Sequence, residues 1–168
     1  MKAVFSLVFL LGVSLAFSQK ESSNDYVKKG DAFYDAEDYE SAIAEYTKAI
    51  GLDPSNAVAY NNRGLAYYEL SEFEKVIDDC SKAISLNSKM TDAYTNRGLA
   101  YFKLGKFSDA VNNFSAVVSL EPDNSENYVN RGIARYKQGN KGGACEDFAE
   151  AKRLKHPEAD SYIEKVCK

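Results

Sequence analysis

The chain matches itself when shifted by 34 residues, and that period decides what it can fold into. Four blocks follow: 23 to 56, 57 to 90, 91 to 124 and 125 to 158. Counting places within a block, Tyr26, Tyr60, Tyr94 and Tyr128 stand at place 4, Gly30, Gly64, Gly98 and Gly132 at place 8, and Ala32, Ala66, Ala100 and Ala134 at place 10. Later columns hold Tyr39, Phe73 and Phe107 at place 17, Tyr46, Cys80, Phe114 and Phe148 at place 24, and Leu52, Leu86, Leu120 and Leu154 at place 30. A unit this short cannot bury its apolar face alone, so neighbouring copies must stack and share a continuous core.

Small and apolar residues fall at places 4, 8, 10, 11 and 14, and again at 17, 20, 21, 24, 27, 28 and 30, both sets at helical spacing. Gly105 and Gly139, at place 15, mark the end of a first helix, where the chain must often take positive φ. Pro54, Pro122 and Pro157 close the second helix, which proline cannot continue. Each block is therefore expected to be a helix hairpin. Glycine at place 8 and alanine at place 10 or 20 let two backbones approach, and aromatic rings fill the space beside the crossing. The fold class that follows is all-α, a solenoid of four helix-turn-helix units in one domain spanning 19 to 168.

This spacing of aromatic, Gly, Ala, Leu and Pro resembles the tetratricopeptide repeat over residues 23 to 158. One departure recurs: where that family carries leucine before the glycine, Lys29, Arg63, Arg97 and Arg131 stand here. Pairing with acids of the second helix, such as Asp78, Asp79 or Asp147, is the expected role of these cations. The resemblance implies a right-handed superhelix in which the first helix of each pair lines a concave groove that binds peptides or protein segments.

Places 2, 5, 6, 9, 12 and 13 are left for that groove. Place 6 supplies Lys28, Asn62, Asn96 and Asn130; place 9 supplies Asp31, Leu65, Leu99 and Ile133; place 12 supplies Tyr34, Tyr68, Phe102 and Tyr136. Carboxamides can donate to and accept from a peptide unit, and the rings add apolar contact at small entropic cost. Place 13 runs from Asp35 and Glu69 to Lys103 and Lys137, a gradient able to orient a bound segment. Chaperone-binding members of the family grip a chain terminus with a set of Lys, Asn and Arg at fixed places. At those places this chain has Val27, Asp31, Asn62, Asp92 and Asn96, of which only Asn62 matches. Starting one block later, only one of Asn61, Leu65, Asn96, Glu126 and Asn130 matches, so no carboxylate clamp is expected.

The fourth block carries Arg135, Gln138, Lys141 and Lys152 at places that are apolar in most other blocks. After it, Ala159, Tyr162, Ile163, Val166 and Cys167 form one apolar stripe, and residues 158 to 168 read as a capping helix. Cys145, at place 21, points to where the cap should dock, and Cys167 lies on the docking face. A Cys145–Cys167 disulfide is expected in an exported chain. Cys80, in an aromatic column, reads as a buried free thiol.

Export is read from the first residues. Lys2 precedes an uncharged apolar run from Ala3 to Phe17 that is shorter than the roughly 20 residues a membrane-crossing helix needs, and it ends in Ala16, Phe17 and Ser18. Residues 1 to 18 are expected to be a signal peptide cut before Gln19, leaving the protein in the periplasm, on the surface or outside the cell. No membrane association beyond that signal is expected. The signal, the four blocks and the cysteine-tied tail together resemble secreted repeat proteins of Bacteroidetes-type bacteria.

Cleavage would leave 20 basic and 25 acidic residues, a net charge of −5, which disfavours a nucleic-acid partner. The sole histidine, His156, precedes a proline in a turn, and no Gly-rich phosphate loop or nucleophile-base pattern is present. Neither catalysis, nor a cofactor or metal, nor a small-molecule substrate is expected. The expected partner is another polypeptide, with the chain a monomer or weak homo-oligomer; the rival reading is a self-associating scaffold of the cell envelope.

Overall fold

The computed structural model describes residues 21–168; the expected signal peptide lies outside them. Eight helices form four hairpins: α1 (Ser23–Asp35) with α2 (Tyr39–Leu52), α3 (Ala57–Glu69) with α4 (Phe73–Leu86), α5 (Thr91–Lys103) with α6 (Phe107–Leu120), and α7 (Ser125–Lys137) with α8 (Lys141–Arg153). A ninth helix, α9 (Ala159–Val166), follows. Each helix packs on the next along the chain, giving an all-α solenoid, and no strand occurs among the described residues.

The glycine column sets the closeness of each hairpin. A Cβ built on Gly30 would lie 2.4 Å from Cε1 of Tyr46, and one on Gly132 2.6 Å from Cε1 of Phe148. The place-24 ring of the second helix thus rests directly on the first helix's backbone. Beside it, the alanines of places 20 and 27 are buried: Ala42, Ala49, Ala83, Ala110, Ala144 and Ala151.

Three of the four cations of place 7 stitch helices together, whereas Lys29 pairs not with an acid of the second helix but with Glu21, ahead of α1, at 2.5 Å. Arg63 on α3 bonds both carboxylate oxygens of Asp79 on α4, at 2.7 and 2.8 Å, and reaches back to the Thr47 hydroxyl on α2 at 3.0 Å. Arg97 repeats the scheme with Asn113 and Ser81, at 2.8 and 2.9 Å, and Arg131 holds Asp147. Asp79 and Asp147 are the expected partners; Asp78 is exposed and forms no such pair. Each cation also lies over the place-4 tyrosine of its own block, Lys29 over Tyr26 at 5.0 Å and Arg131 over Tyr128 at 5.5 Å.

The first helices end alike. At place 15, Gly105 and Gly139 take φ of +73° and +94°, and Glu37 and Ser71 take the same left-handed turn at +60° without being glycine. Two backbone bonds lock each turn, as from Ser71 N–H to the Tyr68 carbonyl and from Glu72 N–H to the Tyr67 carbonyl, both 2.9 Å.

Two expectations about burial need correction. Place 30 is largely exposed, with Leu52 at 47%, because this residue ends the second helix beyond the reach of the next hairpin. In block 1, Ala32 and Phe33 are exposed because no earlier helix among the described residues covers α1.

α9 docks as a cap. Ala159 and Val166 are buried, and the Tyr162 ring stacks on Phe148 with centroids 5.1 Å apart. Cys167 is bonded to Cys145 with Cα atoms 5.7 Å apart, and Cys80 is a buried free thiol.

Candidate functional site

α1 packs directly on α3 and α3 on α5, contacts that no pair of second helices matches, so the first helices form the tighter, inner side of the array. The residues of places 9, 12 and 13 lie along it. Leu65, Leu99 and Ile133 are half-buried, as are Tyr34, Tyr68 and Phe102, while Lys103 and Lys137 are exposed. Place 5, expected in the groove, is buried instead at Val27, Asn61 and Val129: Val27 packs with Ala42, Tyr46 and Ala49 of its own second helix, and Val129 with Ala151 of its own second helix and Ala159 of the cap.

The aromatic row is held from behind. Tyr34 meets Tyr39 edge-on at 5.3 Å, Tyr68 meets Phe73 at 5.5 Å and Phe102 meets Phe107 at 5.3 Å. Such fixed rings offer a pre-organised surface. In block 4 the supporting ring is replaced by Lys141, and Tyr136 is left 46% exposed. Burial, joined by the Glu69 carboxylate that accepts its hydroxyl at 3.1 Å, pushes the Tyr34 phenol up to about 12.

The three asparagines of place 6 are not equivalent. Asp31 accepts from the Tyr46 hydroxyl at 2.8 Å and from the Asn62 amide at 3.0 Å. Asn62 in turn accepts from Asn61 at 3.2 Å, and Asn61 from the buried Asn96 at 3.1 Å. The result is a hydrogen-bonded chain from α2 through α1 and α3 to α5. Burial, then the bond to Asp31, raises the Tyr46 pKa. Asn62 and Asn96 are thus committed to joining repeats, and Asn130 alone of the three makes no side-chain hydrogen bond among the described residues.

Asn130 instead faces a recess of about 250 Å³ between α3, α5 and α7, walled by Tyr68, Leu99, Phe102, Lys103, Ile133 and Phe114. Places 6, 9, 12 and 13 of three successive blocks converge there. Ile133 and Tyr162 of the cap both pack against the buried cluster of Val129, Ala151 and Ala159.

The matching family models are "TPR repeat", over residues 30–71 and 98–139, and "Tetratricopeptide repeat", over 57–90. Among solved structures, the first TPR of Spaghetti (RPAP3) bound to an HSP90 peptide is 33% identical, with 70% of this chain and 96% of that one covered and a TM-score of 0.68. This chain belongs to the tetratricopeptide-repeat family. A second similar TPR structure, the second TPR domain of human RPAP3 in complex with an HSP70 peptide, is 32% identical over 67% of this chain and 94% of that one, with a TM-score of 0.65. The crystal structure of MamA is 28% identical over 82% and 81%, with a TM-score of 0.76. No curated protein sequence matches the chain.

The sequence places the residues of this TPR groove on one face but not their uses. The Asp31 to Asn96 chain had one visible signal, an acid at place 9 where the other blocks carry Leu or Ile. The recess had none, because it depends on how far three helices splay.

Proposed function

We propose that this TPR protein is an exported, non-catalytic interaction module that holds a segment of another polypeptide along the inner face of its repeats. The observation that carries the reading is the apolar recess at the centre of that face, built by groove positions of three blocks and left unfilled by the protein's own side chains. Relatives of the same fold support it: the RPAP3 domains are complexed with HSP90 and HSP70 peptides. Capture of a chain terminus is not part of the proposal, since Asn62 is already bonded to Asp31.

The test is capture from the envelope fraction of the source cell, comparing the native chain with the double variant Asn130→Ala and Tyr136→Ala. Neither side chain forms a hydrogen bond within the described structure, so the variant should fold. A protein retained by the native chain and lost by the folded variant supports the groove; equal retention rejects it.

A second reading rests on the face of α1 that no described helix covers, where Phe33 is 39% exposed: copies could pair through that end. A concentration-dependent oligomer abolished by Phe33→Glu would favour it. Export itself is proposed from the leading apolar run and the cysteine pair, and an intact mass beginning at Gln19 is its expected signature.

A further inference from the structure

Lys103 forms part of the wall of the apolar recess. One repeat on, Lys137 lines a second recess of about 340 Å³ at the neighbouring hairpin turn, together with Lys106 and one carboxylate, Asp109, which forms an ion pair with neither lysine. Among the described residues none of these three ammonium groups has an ion-pair partner. The arginines of α7, by contrast, are both taken up by Asp147, Arg131 at 2.6 Å and Arg135 at 3.0 Å. The last turn of a helix favours a cation, which accounts for lysine at the ends of α5 and α7. It does not account for an unpaired charge at the lip of a pocket whose other walls, apart from Asn130, are rings and aliphatic side chains.

The opposite end of the groove has the reverse sign. Asp35 and Glu69 occupy the same place in blocks 1 and 2, and the Tyr34 hydroxyl fixes Glu69 at 3.1 Å. A segment lying across all four blocks therefore meets carboxylates first and ammonium groups last. The recess, at about 250 Å³, is smaller than the roughly 300 to 1,000 Å³ typical of small-molecule sites. It suits one large side chain, with Asn130 as the single amide in the wall able to meet a peptide unit.

Resting on the groove reading above, we infer that the recess anchors a bulky apolar side chain of a partner segment that carries Asp or Glu beside it, the carboxylates meeting Lys103 and Lys137. The acidic stretch of the partner then lies over blocks 3 and 4. The carboxylates come from side chains within the segment. Lys103 and Lys137 stand on the first helices of successive blocks and so address two charges spaced along a chain, and no second cation shares the recess wall with Lys103 to grip a terminus.

Fluorescence anisotropy with dye-labelled, end-blocked heptapeptides on the folded protein tests this. A peptide with a central leucine flanked by two glutamates should bind saturably, at least about tenfold tighter than versions with serine for leucine or lysine for glutamate, and more weakly as salt rises. The exposed double variant Lys103→Glu and Lys137→Glu, checked for native circular dichroism, should lose the acidic peptide by about tenfold and gain the lysine version. Equal binding of acidic and basic peptides, or indifference to the leucine, overturns the inference; the groove reading survives that result if Asn130→Ala with Tyr136→Ala still abolishes binding. A free carboxyl terminus outperforming the blocked peptide also overturns it, since the charge would then be terminal. Binding by none of the peptides overturns it as well, and leaves the groove to be judged on its native partner.

Discussion

Arg63 and Asp79 face each other across the second hairpin with both guanidinium-carboxylate bonds made, at 2.7 and 2.8 Å, and with the pair mostly withdrawn from water. Removing the acid alone leaves a partly buried cation without its partner. Asp79→Ala should therefore lower stability by about 2 to 3 kcal/mol in urea unfolding. Replacing both residues, Arg63→Met with Asp79→Leu, should recover much of that loss, because the desolvated charges disappear together. Equal destabilisation by the single and double variants would mean that the pair only fills space.

The glycines of place 8 are not interchangeable, although the sequence column is invariant. An alanine Cβ at Gly132 would press on the Phe148 ring at 2.6 Å, whereas at Gly64 the nearest atom it would meet is the Cys80 sulfur at 3.1 Å. Gly132→Ala should lower stability by roughly 2 to 3 kcal/mol through overpacking. Gly64→Ala should fall within about 1 kcal/mol of the native protein, since the better helix propensity of alanine offsets a mild crowding. Thermal unfolding of the two variants checks the order.

Ser71 occupies the left-handed turn that Gly105 and Gly139 fill in later blocks, at φ +60°. Ser71→Gly should raise stability by roughly 0.5 to 1 kcal/mol, and Gly105→Ala should lower it by about as much. Both changes are readable as shifts in the urea midpoint.

The cysteines should behave as two classes. Burial, reinforced by the nearby Asp79 charge, pushes the Cys80 thiol from an ordinary 9.0 up to about 12. It should resist thiol reagents at pH 8 in the native protein and react on unfolding. Because the folded pKa is the higher one, the contribution of the neutral thiol is complete below pH 9 and is lost as the pH climbs from about 9 to 12. Cys145 and Cys167 should appear as one linked peptide in non-reducing mass mapping. Reduction should lower stability by about 2 to 4 kcal/mol for a link spanning 22 residues and free α9 to exchange its amide hydrogens.

The hairpins, the close glycine crossings and the cap were legible because each follows from a column repeated every block, and repetition exposes what packing demands. The asparagine row was legible as a row but not as a network. Whether Asn96 faces solvent or bonds Asn61 depends on the offset between α3 and α5, which no single block encodes. The exposure of Leu52, Leu86 and Leu120 was hidden for a related reason: an apolar column looks the same whether or not a later helix covers it.

The groove claim is tested most directly by site-specific photo-crosslinking in the source cell, with a photoreactive residue at the exposed position 35 on the inner face or at position 82 on the exposed side of α4. The account predicts one discrete adduct from position 35, absent from position 82 and suppressed by Tyr136→Ala. Adducts from position 82 alone, or from both positions alike, would contradict it.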